Sequence, residues 1–348
     1  MDQAPHNTAL FRLSALGDAT HTVPVVRALR ERWPDTRITW IIGKLEHRLV
    51  GALAEQDPRL EFIVYDKRGG LPAFRGLRRA LMGRRFDLLL HMQVALRANL
   101  LSRLVDAPIR LGWNPERSRD RHQWFITDSV ADVRFQHQVQ AFLEFPRALG
   151  IEVQEPTWDL PIGDEDRAWA ERELPGEEPT LVISPCSSHR LRNWAAERYA
   201  AVADHAAARG WRVALAGGPA TIDRETGYAI RAAMKSEPVD LIGRDTLTQS
   251  LAVLDRASAL LTPDSGPAHM ASALDTPVLG VYAATWARRS GPYRSLDLTV
   301  DRYRQAARKY RKKEPEELRW GHRIEEPGVM DLVEVDDVIE KFESLPGT

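Results

Sequence analysis

Short apolar runs alternate with stretches whose apolar residues recur every three to four positions, and this alternation passes through the chain twice. In the first half, residues 9–13, 37–42, 60–65 and 86–92 read as buried strands. Residues 22–33, 45–53, 74–82, 96–105 and 136–149 read as helices, the first stopped by Pro34. A linker is expected over 150–161, which holds Pro156 and Pro161 and few periodic positions. The alternation restarts with strands 180–184, 212–216, 239–242, 260–262 and 278–282. Helices are expected over 168–174, 195–208, 224–234, 247–257, 267–274 and 335–342. Apolar strands separated by helical periods predict parallel sheets covered on both faces. The predicted fold is α/β, with an N-terminal Rossmann-like domain over 1–155 and a C-terminal one over 156–330. The closing segment, 331–348, is expected to pack its helix back on the N-terminal domain.

Composition narrows the class. A chain of 348 residues exceeds one ordinary core, in keeping with two domains. With 43% hydrophobic and 28% charged residues it is globular and not disordered. The 48 basic and 49 acidic residues cancel to −1, which argues against a general polyanion binder and against a nucleic-acid partner. A single cysteine, Cys186, excludes an internal disulfide or a cysteine-based zinc site, and it reads as a small buried residue. No apolar stretch approaches the length of a membrane span, and the polar start of the chain has no signal-peptide character, so a cytoplasmic location is expected. Charge is nevertheless clustered. Residues 67–85 hold Lys67, Arg68, Arg75, Arg78, Arg79, Arg84 and Arg85 with no acid, and 302–313 hold another seven basic residues. The second cluster suits contact with an anionic membrane surface.

In open α/β sheets ligands bind beyond the carboxyl ends of the strands, so the loops after strands carry the candidate chemistry. After the first strand comes Ser14-Ala15-Leu16-Gly17-Asp18, where Gly17 permits a tight turn and Asp18 stands near a helix start, locally readable as a cap. The loop after 180–184 holds Ser187, Ser188, Arg190, Arg192 and Trp194, a set suited to a phosphate-bearing ligand or to a solvated loop. The Gly217-Gly218-Pro219 turn precedes Asp223 and Glu225, acceptors for ribose hydroxyls or simple helix-start acids. The sharpest segment is Asp264-Ser265-Gly266-Pro267-Ala268-His269, where a strand gives way to a helix whose free N–H groups form an anion site. His269, taken by itself, reads as a core histidine. No G-x-G-x-x-G, P-loop, G-x-S-x-G or H-E-x-x-H pattern occurs. The acidic triplet Asp164-Glu165-Asp166 reads as the first turn of a helix and not as a metal site.

Taken together, Arg12-Leu13-Ser14-Ala15-Leu16-Gly17-Asp18, the run ending Arg192-Asn193-Trp194, the Gly217-Gly218-Pro219 turn and the Asp264–His269 block resemble glycosyltransferase family 9, the heptosyltransferases of lipopolysaccharide core assembly. The resemblance implies a GT-B fold, two Rossmann-like domains with the active site between them. It implies inverting transfer of heptose from ADP-L-glycero-D-manno-heptose to Kdo-lipid A or an inner-core heptose, with no metal and no cofactor, at the inner face of the cytoplasmic membrane. Asp18 would then be the general base. Donor binding would fall to Ser187, Ser188, Arg192 (where the family more often has lysine), Asp223, Asp264, Ser265, Gly266 and His269. Acceptor binding would fall to Ser14, Gly17, Arg75, Arg78, Arg79, Arg97, Arg119 and His137. Two other readings remain at this point: a family-9 enzyme with another nucleotide sugar or a later acceptor, and a two-lobed sugar- or nucleotide-binding protein without catalysis.

Overall fold

The structure, a computed structural model, describes residues 3–345. The chain divides between Pro161 and Ile162 into two compact units. The first carries β1 (Asn7–Phe11), α1 (Leu16–Arg32), β2 (Arg37–Gly43), α2 (Lys44–Val50), α3 (Leu53–Gln56), β3 (Leu60–Tyr65) and α4 (Gly70–Leu81). It continues with β4 (Leu88–His91), α5 (Leu96–Ser102), β5 (Ile109–Gly112), β6 (Asp128–Ser129) and α6 (Gln138–Ala148). All strand pairs are parallel, in the order β3-β2-β1-β4-β5-β6. Leu10 pairs with Trp40 on one side and Leu90 on the other, and all three are fully buried. That register explains the unbroken apolar runs: a central strand covered on both faces has no polar side to show.

The second unit carries α7 (Asp164–Glu173), β7 (Thr180–Ile183), α8 (Ala196–Ala208), β8 (Arg212–Leu215), α9 (Thr221–Ala233), β9 (Val239–Asp240) and α10 (Leu247–Arg256). It ends with β10 (Ala259–Thr262), α11 (Gly266–Ala273), β11 (Val278–Tyr282), α12 (Ala287–Ser290), β12 (Val300–Asp301), α13 (Tyr303–Ala306) and α14 (Val335–Glu343). Its sheet runs β12-β11-β10-β7-β8-β9, again all parallel. Counted from the first strand of each unit, both sheets follow the doubly wound order 3-2-1-4-5-6. The expected α/β architecture of two Rossmann-like halves is therefore what the chain forms.

Three departures have physical causes. Strands β5, β6 and β12 do not show in the sequence pattern because each is short and mixes charged or polar residues with apolar ones, IRLG, DS and VD, so no apolar run marks them. Helix α1 begins at Leu16 and not at residue 22, and it carries Pro24 inside. Proline has no N–H for the carbonyl of Thr20, one turn earlier; the indole of Trp158 donates to that carbonyl at 3.0 Å, so the helix passes the proline with its acceptor satisfied. Finally, α14 does not belong to the N-terminal domain. Val338, Phe342 and Leu345 lie in the core of the second unit, the Phe342 ring stands 4.9 Å from that of Trp211, and Asp337 pairs with Arg302.

Candidate functional site

In each sheet the strand order reverses between the first and fourth strands, and the loops leaving those two strands open the crevice where ligands bind in such folds. In the first unit these are the loops after β1 and β4. They are tied together: Leu13 N–H donates to Gln93 Oε1 at 2.7 Å, and Gln93 Nε2 donates to Ser14 Oγ at 3.0 Å. Arg12 lies beneath, its side chain 11% exposed, donating through Nη1 to the carbonyl of Met92 and through Nη2 to Asp18 Oδ2. The guanidinium also stands 5.3 Å from the centre of the Phe142 ring. Asp18 is the third residue of α1, and the N-cap position is Ala15, which has no capping atom. The carboxylate instead accepts the Ala15 N–H at 3.1 Å with the oxygen that Arg12 holds, leaving Oδ1 without a hydrogen bond among the described residues. Gly17, at the second position of the helix, is half-buried beside it.

The other expected acceptor residues lie on further elements of the same unit. Arg97, in the first turn of α5, donates to the Tyr65 hydroxyl at 2.8 Å and packs over that ring. Arg119 lies in the loop after β5, largely exposed, 3.8 Å from Asp120. His137 caps α6, its Nδ1 accepting the Val139 N–H at 3.1 Å, and its ring lies 6.5 Å from that of His21, one turn after Asp18. Arg75, Arg78 and Arg79 stand exposed on α4 with no ion pair among the described residues. Their neighbours in the basic run are engaged: Lys67 with Glu46, Arg84 with Glu61, and Arg85 with Asp106.

In the second unit the equivalent loops follow β7 and β10, and they meet at Arg192. This arginine is 8% exposed, and each guanidinium nitrogen has a neighbour. Nη2 donates to Ser188 Oγ at 2.8 Å, Nη1 stands 3.7 Å from Asp264 Oδ2, and Nε stands 3.2 Å from Glu325 Oε1. Burial lowers its pKa from the usual arginine value, while Asp264 and Glu325 oppose that shift. Ser187 is buried, its hydroxyl donating to the His189 carbonyl at 3.0 Å, so it shapes the loop and Ser188 is the serine turned to Arg192. Ser265 is the N-cap of α11 without capping it, its Oγ held 2.8 Å from Thr262 Oγ1. Pro267 has no N–H, and the Gly266 and Ala268 N–H groups at the start of α11 have no side-chain cap, which suits an anion. His269, one turn on, is half-buried and not a core residue.

Asp223 sits in the first turn of α9 and accepts the Gly218 N–H at 3.3 Å, with burial raising its pKa. Glu225 is exposed and pairs with Arg190 at 2.9 Å. Of the two ribose candidates, Asp223 is thus the one turned to the glycine loop. A side chain at Gly217 would come 3.0 Å from Asp223 Oδ1, close enough that the carboxylate would have to shift. Among the described residues no group of three His, Cys, Asp or Glu converges as a metal-ligand set, and Asp164, Glu165 and Asp166 form the first turn of α7. Two residues escaped the sequence analysis in their roles. Arg12 stands in the sequence only as one member of the opening motif, and Glu325 lies in a segment without periodicity, brought to Arg192 where Ile324 N–H bonds the Ala284 carbonyl after β11 at 2.8 Å.

Comparison with known proteins fits this geometry to one family. The model of glycosyltransferase family 9 (heptosyltransferase) matches residues 74–319. A lipopolysaccharide core heptosyltransferase, OpsX of Haemophilus influenzae, is 34% identical over 343 residues, covering 99% of this chain and 98% of the relative. The chain belongs to glycosyltransferase family 9. It is accordingly a glycosyltransferase, which removes the reading as a non-catalytic binding protein. The fold is shared with a family-9 glycosyltransferase of Veillonella parvula (TM-score 0.81, 21% identity, covering 99% of this chain and 98% of that one). It is shared also with the E. coli heptosyltransferase WaaC solved with ADP (TM-score 0.73, 18% identity, 97% and 99% covered). This is the GT-B fold. The Arg192 and Asp264 loops lie inside the segment matched by the family model, whereas Asp18 lies before it, in the part shared with the Haemophilus relative.

Proposed function

We propose that this family-9 enzyme transfers heptose from ADP-heptose to the Kdo-lipid A or inner-core end of a lipopolysaccharide precursor, inverting the anomeric centre. The names of the relatives support donor and acceptor class. The observation that carries the mechanism is the carboxylate of Asp18, with one oxygen fixed by Arg12 and the other unengaged at the crevice of the first sheet. An acceptor hydroxyl gives its proton to Asp18 Oδ1 while its oxygen bonds the anomeric carbon from the face opposite the phosphate. The bond from that carbon to the β-phosphate oxygen breaks, and its electron pair leaves with ADP. Negative charge then grows on the diphosphate, where Arg192, Ser188 and the start of α11 offer donors in place of a cation. Asp264 would hold heptose hydroxyls, Ser265, Gly266 and His269 the diphosphate side, and Asp223 the ribose. Ser14, Gly17, Arg97, Arg119 and His137, with the arginines of α4, would take the acidic acceptor. An enzyme with a lipid-linked acceptor works as a peripheral protein on the inner face of the cytoplasmic membrane.

The deciding experiment is turnover of ADP-heptose with a deacylated Kdo acceptor, following ADP release and the anomeric configuration of the product. ADP release that depends on the acceptor, with inverted product, is the expected result. A retained anomer refutes the single displacement. Turnover of another ADP-sugar and not of ADP-heptose reassigns the donor.

A further inference from the structure

Two neighbouring helices of the first unit turn apolar and cationic residues outward together. In α4, Leu71, Arg75, Arg78, Arg79 and the C-cap Met82 fall along one stripe, opposite the buried Leu77 and Leu81. The stripe is exposed along its length, Leu71 by 58% and Met82 by 74%. α5 repeats the arrangement: Leu96 and Leu100, 51% and 57% exposed, share a face with Arg103, while Ala98 and Leu101 are buried. The turn His122–Phe125 extends this face, with Trp124 65% exposed and its ring 4.6 Å from the Arg121 guanidinium. The Trp124 carbonyl accepts from Arg103 Nη2 at 2.7 Å, which fixes the turn to the end of α5. The buried sides of α4 and α5 meet in one core cluster, so the two helices cover the same face of the sheet.

The charge on α4 and α5 themselves is one-signed, and the acid at the start of α5 is Asp120, whose carboxylate accepts the Leu96 N–H at 3.1 Å. Between residues 67 and 105 the only acid is Asp87, and its carboxylate accepts the Asn7 N–H at the opposite ends of the strands. Single exposed leucines are ordinary, but a group of leucines, a methionine and a tryptophan set among arginines that far outnumber the acids is not. Such a surface matches an anionic bilayer: apolar tips enter the acyl boundary, the indole sits at the interface, and guanidiniums reach lipid phosphates. We infer that the α4–α5 face seats the enzyme on an anionic lipid bilayer, with Leu96, Leu100 and Trp124 as its apolar contact. The inference rests on the lipid-linked acceptor proposed above, because Arg97 on the same helix would then meet that acceptor where it leaves the membrane.

The test uses the full chain and vesicles of phosphatidylglycerol and phosphatidylcholine that contain no glycolipid. Wild type is expected to sediment with anionic vesicles, far less with pure phosphatidylcholine, and less in high salt. The double variant Leu100→Ser/Trp124→Ser should bind anionic vesicles at least about tenfold more weakly, with its melting temperature and its turnover of a water-soluble, deacylated acceptor close to wild type. If that variant fails to fold, Leu96→Ser carries the same expectation. Wild type that ignores anionic vesicles, or a folded variant that binds them as wild type does, overturns the inference. Failure of wild type to turn over the soluble acceptor would refute the proposed reaction and leave the vesicle measurement to judge the surface alone.

Discussion

At the scale of single residues, the local pattern around Asp18 allows either a helix cap or a base, and the structure separates their consequences. Asp18 stands at the third helical position, and its Oδ2 accepts both the Ala15 N–H and the Arg12 guanidinium, so asparagine can keep the first bond while losing the charge that Arg12 faces. Asp18→Asn is expected to lower kcat by about 10²–10⁴, the usual contribution of a positioned base, with the melting temperature nearly unchanged. Stopped or steady-state ADP release measures the first and thermal unfolding the second; near-normal kcat would remove Asp18 as the base. Across in the other unit, Arg192→Ala should lower kcat by about 10²–10³ as donor contacts to a developing charge are lost. Glu325 touches Arg192 through Nε and is a positioning residue. Glu325→Gln should therefore raise the KM for ADP-heptose while leaving the acceptor KM unaltered, a split that a merely destabilised protein would not produce. Nothing in the neighbourhood of Glu325 in the chain marks it, because its partner is supplied by the path of the backbone after β11.

At the scale of elements, the loops after β4 and β5 in the first unit are tied by a buried polar hub. Asn99 Oδ1, in α5, lies 2.9 Å from His91 Nε2 at the end of β4 and 2.8 Å from His122 Nδ1. Both rings therefore donate to Asn99, and His122 Nε2 accepts the Trp113 N–H at 3.1 Å, which only a neutral imidazole can do. Asn99 Nδ2 completes the tie by donating to the Asp120 carbonyl at 3.1 Å, next to Arg119. Burial pushes the His91 pKa well below its ordinary value and that of His122 down from 6.5 to about 4. The sign follows: the unfolded chain takes up protons below pH 6.5 while the folded hub refuses them, so this stabilisation is full above that pH and is lost progressively as pH falls toward 4. For His122 the loss amounts to about 3 kcal/mol by pH 4. Urea denaturation between pH 7.5 and 5 should show the decline, and His122→Asn, already lacking the imidazole, should show a shallower one. An equal slope in both proteins would remove the hub as the cause. The hub also shows why helices and central strands were legible from the chain and these loops were not. Apolar periodicity marks α4, α6 and β1–β4, whereas His91, Asn99 and His122 are polar residues buried by mutual satisfaction, and no spacing rule brings them together.

At the scale of the whole molecule, one topology is used twice, and each copy puts its chemistry at the same place, the reversal between its first and fourth strands. That much was readable, because long apolar runs repeat with helical gaps and the strand-end loops hold the unusual residues. The helix α14 was not, since an amphipathic helix reveals that it has an apolar face without revealing which core receives it. The two copies divide the labour by charge. The first offers a carboxylate held by an arginine, suited to taking a proton; the second offers an arginine between carboxylates beside a helix start with no side-chain cap, suited to a diphosphate. A metal ion in such an enzyme would serve the leaving diphosphate, and in the proposed reaction that place falls to Arg192 and the N-terminal dipole of α11. Turnover is therefore expected to persist undiminished in excess EDTA, and added magnesium or manganese should not raise kcat. Activity abolished by EDTA and restored by either cation would mean that Arg192 and the helix start do not carry the leaving group by themselves. In that case Asp264, the carboxylate of the loop leaving β10, 3.7 Å from Arg192, would be the first residue to examine as a ligand.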